Sequence, residues 1–270
     1  MLRSMYSGVS GMRGFQTKLD VIGNNIANVN TVGFKGGRVM FSDILSQTTS
    51  GVTASLEGEQ GGVNAKQIGL GVTISSIDTI HTPGSAMTTN VPTDLRIDGD
   101  GFFAVSAGGD SPTYLTRAGN FTLDGNRQLV NSNGMFVLSS DGEPIVLGED
   151  VTSFSIGQDG SILAVTADGT EAVAQLGVVK VVNPSGLEKV GGNLYRVTAN
   201  ANPDGQFEIV TANDSALGTG AVIAGQLEMS NVDLTNEFTE MIVAQRGFQA
   251  NSRIITTSDE ILQEVVNLKR

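Results

Sequence analysis

The clearest order in the chain is a heptad at its C-terminal end. Leu234, Phe238, Met241, Gln245, Phe248, Ser252, Ile255, Asp259, Leu262 and Val266 advance by alternating steps of four and three, the spacing that keeps one face of an α-helix on the same side. Ile242, Ile254, Ile261, Val265 and Leu268 flank this seam and widen it. Ser230, Asn231 and Asp233 supply helix-start signals, and Lys269 and Arg270 put positive charge at the C-terminal dipole end. The pattern predicts a helix over 233–268. Polar Gln245, Ser252 and Asp259, one in each of three successive heptads of the seam, suggest a specific multi-subunit register; the alternative is that they face solvent because the true stripe is rotated toward Ile254 and Ile261.

A weaker heptad opens the chain. Leu2, Met5, Val9, Met12, Leu19 and Ile26 share one face, with Phe15, Ile22 and Val29 beside it. The helix is expected to end near Asn28 to Gly33. Gly8, Gly11 and Gly14 lie inside it, and each costs about 0.8–1.0 kcal/mol relative to alanine. Such a helix is either marginal at a surface or formed only where a partner packs closely on its missing side chains.

Between the ends, short apolar runs alternate with turn signals. Ile68, Leu70, Val72 and Ile74 alternate cleanly until the register breaks at Ser75-Ser76. Further strands are expected at Leu95 and Ile97, 102–105, Phe121 and Leu123, 136–138, 145–147, Phe154 and Ile156, 162–165, 176–182, 194–197 and 207–210, with turns at Asp-Gly and Asn-Gly steps such as Asp98-Gly99, Asn133-Gly134 and Asp168-Gly169. Residues 34–66 fit neither period and read as a connector. The fold class is therefore α+β: terminal helices over 1–33 and 227–270 pairing as a coiled-coil-like domain, the 34–66 connector, and a central mainly-β domain over 67–226 built as an irregular barrel or sandwich.

Composition follows the same division. The formal charge of −12 is an average: residues 1–40 carry +4, residues 41–230 carry −14 and residues 231–270 carry −2. Of the 35 glycines, 27 fall in the middle stretch, as do all six prolines. An acidic surplus of this size argues against nucleic acid or anionic lipid as the main partner. Unbroken apolar runs reach four residues, well short of the ~20 of a membrane span, so no membrane insertion is expected. Arg3, Arg13 and Lys18 interrupt the first twenty residues and leave no cleavable signal.

Sites for chemistry fail on context. With zero cysteines and a single histidine there is no disulfide framework, thiolate nucleophile or cysteine- or histidine-pair metal site. Gly99-Asp100-Gly101-Phe102-Phe103-Ala104 fits a dinucleotide fingerprint in letters, but a strand follows where that motif needs a helix. Asp98-Gly99-Asp100 begins like a calcium loop, yet Phe102 stands at the third ligand position. His81, in a Thr/Pro/Gly-rich stretch, reads as an exposed loop or strand-end residue. No catalytic residue, cofactor or metal is expected. A β-rich hydrolase would need a concave acidic cluster with perturbed pKa values.

Several strings carry a resemblance. Residues 7–12, the run Asp20-Val21-Ile22-Gly23-Asn24-Asn25-Ile26-Ala27-Asn28-Val29-Asn30-Thr31 and then Gly33-Phe34-Lys35 resemble the N-terminal signature of bacterial flagellar rod, hook and hook-associated proteins. Asp98 to Phe103, Thr116-Arg117-Ala118-Gly119-Asn120-Phe121 and Gly191 to Tyr195 look like the hook and distal-rod branch. The stretches Leu227-Glu228-Met229-Ser230-Asn231-Val232-Asp233-Leu234 and 241–252 are similar to hook protein.

The resemblance implies a non-enzymatic subunit exported unfolded through a type III apparatus and polymerising into the curved hook, as a short form lacking an additional outer domain. The alternative it leaves is the distal rod protein. It further implies a homopolymer whose neighbours are the distal rod protein, the hook cap and the hook–filament junction proteins, located in the flagellar hook or basal body. The heptad residues of both termini would carry assembly, and Asn24, Asn25, Asn28, Asn30, Gly33 and Phe34 would carry the family motif.

Overall fold

The computed structural model describes residues 2–54, 61–109, 111–148, 150–166 and 169–268. The Leu2 side chain, the Asp168 turn residue, and Lys269 and Arg270 at the dipole end lie outside the described residues. The chain forms two compact units, one from Met1–Ala27, Gly37–Thr79 and Asp233–Arg270, the other from Asn28–Gly36 and Ile80–Val232. This division differs from the sequence boundaries at 33/34, 66/67 and 226/227.

The first unit is built on two helices, α1 (Leu2–Ala27) and α2 (Leu234–Asn267). Asp233 is the N-cap of α2: its carboxylate accepts from the Thr235 backbone N–H at 2.9 Å, satisfying a donor the first turn leaves free. The strand Gly37–Asp43 pairs antiparallel with Val72–Thr79. Met40 faces Ser76 and Phe41 faces Ile74, so Ser75 is the extra residue of a β-bulge, at the step where alternation breaks in the sequence. Phe41 packs on Phe15 of α1 at 5.9 Å between ring centroids. The expected connector is therefore partly sheet. Its apolar residues Val39 and Phe41 had too few neighbours in sequence to show a period, and pairing with Val72–Thr79 supplies what the local pattern lacks. Beyond it, Ser46–Ser50 pairs with Lys66–Gly69 in an exposed ribbon.

The second unit is mainly β. Its largest sheet runs Glu188–Gly191, Leu194–Arg196, Thr113–Thr116, Phe102–Ser106, Phe136–Val137, Leu129–Val130 and Thr122–Leu123, with Gly177–Val179 also on Phe102–Ser106 and Val210–Thr211 beyond it. Phe102–Ser106 is buried throughout. Successive side chains point to opposite faces of a sheet, so Phe103 and Val105 enter one core with Ile97, Phe121 and Val178, and Phe102 and Ala104 enter another with Leu115, Val179 and Tyr195. A strand covered on both sides reads as an unbroken apolar run, as this one does. Ser153–Ile156, Ser161–Thr166 and Gly169–Gln175 form a second sheet. The strand expected at 145–147 is reduced to isolated bridges, Val146 with Gln128 and Pro144 with Leu138, because Pro144 lacks the N–H of a ladder.

Candidate assembly site

In the first unit α1 and α2 run antiparallel, with glycine at the contact. A methyl group added at Gly11 would stand 2.8 Å from Asn251 Nδ2, and one at Gly247 would stand 2.5 Å from Phe15 Cζ. The third glycine, Gly14, faces Phe41 instead, at 2.8 Å from its Cε1. Glycines that weaken α1 alone thus let its backbone approach α2 and the sheet. Lys18 pairs with Glu240 across the helices. Asn25 closes the far end, donating to Gly37 O at 2.8 Å and Glu237 Oε1 at 3.0 Å and accepting from Gly37 N–H at 2.9 Å.

The face of α2 turned to α1 is not the predicted seam. Ala244 and Ser258 are buried and Glu237 and Asn251 half-buried, each one position before Gln245, Asp259, Phe238 and Ser252. Met241, Ser252, Ile255 and Leu262 stay half-buried, while Leu234, Phe238, Gln245, Phe248, Asp259 and Val266 are exposed. Rotation toward Ile254 and Ile261 does not bury those residues either. Close approach selects the small side chains, and the large apolar ones are displaced to the flanks. On α1, Met5, Val9, Met12, Leu19 and Ile26 are half-buried, while Gly8, Gly11, Gly14, Ile22 and Asn25 are the most buried positions.

The second unit brings three motif strings to one buried ion cluster. Lys35 Nζ donates to Glu228 Oε1 at 2.5 Å and to Thr82 O at 2.8 Å, and Arg117 Nη1 lies 3.3 Å from Glu228 Oε2. Gly84 N–H donates to the same carboxylate at 3.0 Å, and Arg117 Nη2 donates to Gly99 O at 2.7 Å. All three charged side chains are at least nine-tenths buried. Burial pushes the Lys35 ammonium and the Arg117 guanidinium below their usual ranges, and the Glu228 charge opposes this.

Gly33 donates its N–H to Glu228 O at 2.8 Å, Asn193 holds Val32 O at 2.8 Å, and Lys189 donates to Lys35 O at 2.9 Å while lying over the Phe34 ring. Asn231 accepts from Gly36 N–H and donates to Ile80 O, both at 2.8 Å. Of the other motif residues, Asn28 accepts from the Thr31 hydroxyl at 3.2 Å, and Asn24 and Asn30 are exposed. Lys35, Arg117 and Glu228 stand in those strings with no role assigned by the sequence, and Asn231 reads there only as a helix-start signal. Their signal was a lone charge or amide set among glycine and apolar residues.

His81 departs from its expectation of exposure. Both ring nitrogens are buried and, among the described residues, without a hydrogen-bond partner, and the ring packs edge-on against Phe102 and Tyr195. Desolvation, then the charges of Lys35, Lys189 and Arg117, lower its pKa to about 4. An unfolded chain takes up a proton near pH 6.5, so the neutral ring contributes stability above that pH that is lost as pH falls from about 6.5 toward 4. Urea titrations at pH 7.5 and 4.5 are expected to show a smaller loss for His81→Phe, which keeps the aromatic packing, than for the parent.

Among the described residues no group of three or more acidic or histidine side chains could hold a metal ion. No described helix is long and apolar enough to cross a membrane. What the geometry offers is packing: small-residue contact inside, apolar residues outside, and a buried charge cluster tying distant segments together.

Comparison with known proteins agrees with the strings. Residues 5–35 match the family described as flagella basal body rod protein, residues 96–164 the flagellar hook protein FlgE/F/G D1 domain, and residues 223–268 the flagellar basal body rod FlgEFG protein C-terminal family. The flagellar basal-body rod protein FlgG of Bacillus subtilis is 56% identical over 272 residues, covering all of both chains. FlgG of Borreliella burgdorferi is 36% identical over 275 residues, again covering both chains fully. The flagellar hook protein FlgE of the same organism is 29% identical over 449 aligned positions, covering all of both chains. The chain belongs to the family of bacterial flagellar basal-body rod and hook proteins, structural components of the flagellum.

Proposed function

We propose that this protein is a non-enzymatic structural subunit of the distal rod of the flagellar basal body. The observation that carries this reading is the full-length match to rod proteins at almost equal length, 272 aligned positions at 56% identity for one of them. Hook protein needs 449 positions to align at 29%, so it carries a large insertion that this chain of 270 residues lacks. The rod reading accounts for the short length directly, where the hook reading requires a special short form.

In this reading the subunits form a homopolymer that joins the hook at its outer end. The heptad residues left exposed, Leu234, Phe238, Phe248 and Val266 among them, lie along α2 with the exposed Ile242, Val243, Ile254, Ile261 and Val265 and are the surface that neighbouring copies cover, since exposed apolar patches mark interaction sites. The half-buried Met5, Val9, Met12, Leu19, Ile26, Met241, Ser252, Ile255 and Leu262 hold α1 and α2 in register beneath it. Absence of cysteine suits a chain that travels unfolded through the flagellar export apparatus before it assembles.

Electron microscopy of basal bodies from a strain deleted for this gene separates the two readings. Loss of the distal rod together with the hook is expected. A complete rod ending without a hook would establish the hook reading instead.

A further inference from the structure

Among the described residues, the last turns of α2 have no helix opposite them. Gly247 meets Phe15, Asn251 meets Gly11, and Ile255 meets Gly8, so the six residues of α1 before Gly8 run out near position 260. Residues 261–267 extend about 10 Å further. On this overhang Ile261, Val265 and Leu268 continue one stripe from Ile254, with exposures of 45%, 51%, 86% and 44%. Glu260 and Glu264, also exposed, border the stripe one helical turn apart. Among the described residues neither carboxylate has an ion-pair partner.

The same unit holds a groove of matching character. Tyr6, Val9 and Arg13 of α1 form one wall, and Ile44, Leu70 and Ile74 the other, around about 440 Å³. Tyr6 and Ile44 are exposed, and so is Arg13, which has no ion pair among the described residues. The stripe is apolar with Glu260 and Glu264 at its side, and the groove, lined also by Ser10, Thr17 and Thr73, joins its apolar residues to one cation, Arg13, at its edge. They lie far apart on one chain: helix register puts Val9 opposite position 253, so Val265 is displaced from it by about 18 Å along the axis.

We propose that the groove beside α1 receives the α2 overhang of a second copy, Ile261, Val265 and Leu268 entering the apolar floor and Glu260 and Glu264 meeting Arg13. Two different surfaces of one chain that fit each other make a head-to-tail contact, and such a contact propagates into an open helical polymer rather than closing into a dimer. Apolar burial supplies the attraction, and the charge border sets the register. The proposal rests on the reading of the protein as a self-assembling subunit and names the surfaces that would meet.

The chain contains no cysteine, so single thiols report contact without background. Full-length Tyr6→Cys and Val265→Cys proteins are mixed at high concentration under mild oxidation, with a Tyr6→Cys and Val173→Cys mixture as control and negative-stain microscopy in parallel. The expected result is a covalent heterodimer from the first mixture in about tenfold excess over the control. Arg13→Glu is expected to raise the concentration needed for assembly about tenfold, and mixing it with Glu264→Arg is expected to restore assembly. Fibres or tubes without the heterodimer excess would overturn the groove contact and leave the polymer reading standing. Neither fibres nor heterodimer at any concentration would overturn both, and failure of the charge-swapped mixture to recover would overturn the pairing of Arg13 with the acidic border. Circular dichroism of each variant shows that it has folded.

Discussion

Glu228→Gln is expected to cost the second unit about 3–5 kcal/mol, the penalty for removing one partner of a buried ion pair. The Glu228 carboxylate takes donors from Lys35, Arg117 and Gly84, and both cations are almost wholly buried. An amide of the same shape can accept from Lys35 and Gly84 with its oxygen, but its NH₂ would then face Arg117, donor against donor. Two cations would be left in a dry site with no counter-charge among their direct partners. Removing a cation at the same time relieves the imbalance, so Lys35→Met with Glu228→Gln is expected to recover part of the loss. Urea denaturation of the three proteins measures this. A single variant within about 0.5 kcal/mol of the parent, the range of ordinary surface substitutions, would mean that the cluster contributes nothing.

The second large effect comes from one methyl group. Gly33 has φ of +68° and its added Cβ would stand 2.5 Å from Ala118 N and 2.7 Å from Arg117 C. A left-handed conformation costs an L-residue about 1–2 kcal/mol, and overpacking against backbone that cannot move adds about 1–3 kcal/mol. Gly33→Ala is thus expected to lose about 3 kcal/mol. The same change at Gly23, an exposed helical position whose Cβ meets nothing within 4 Å, is expected to gain close to 1 kcal/mol. Thermal unfolding of both variants tests whether identical chemistry changes sign with position.

The heptad of α2 shows how far sequence reasoning reaches. Its period, its length and its Asp233 cap all stand in the residues, because helix repeat and capping are local. Its orientation does not. The pattern weighs hydrophobicity, and so selects Phe238 and Gln245 as one face. The contact with α1 weighs distance, and the close backbone approach at Gly8, Gly11 and Gly247 buries Ala244 and Ser258 and half-buries Asn251. The result is a shift of one position at every other seam residue, enough to turn Leu234, Phe238 and Val266 outward.

Nonlocal pairing explains the remaining differences. Val39 and Phe41 form a strand because Val72–Thr79 lies beside them, more than thirty residues on. His81 is half-buried with its ring nitrogens covered, because Phe102 and Tyr195, distant in sequence, pack against its ring. Lys35, Arg117 and Glu228 each look like an ordinary surface charge in its own string, and only the folded unit places them together.

By itself the sequence determined two terminal helices, the β character of the middle, turns such as those at Asn133-Gly134 and Asp141-Gly142, and the motif strings by which the family is known. All of these depend on neighbours a few residues apart or on side chains acting one at a time. The tertiary structure decided which helix face is inside, where the units divide, and that one carboxylate answers two cations, because each depends on distances between residues that the chain brings together only when it folds.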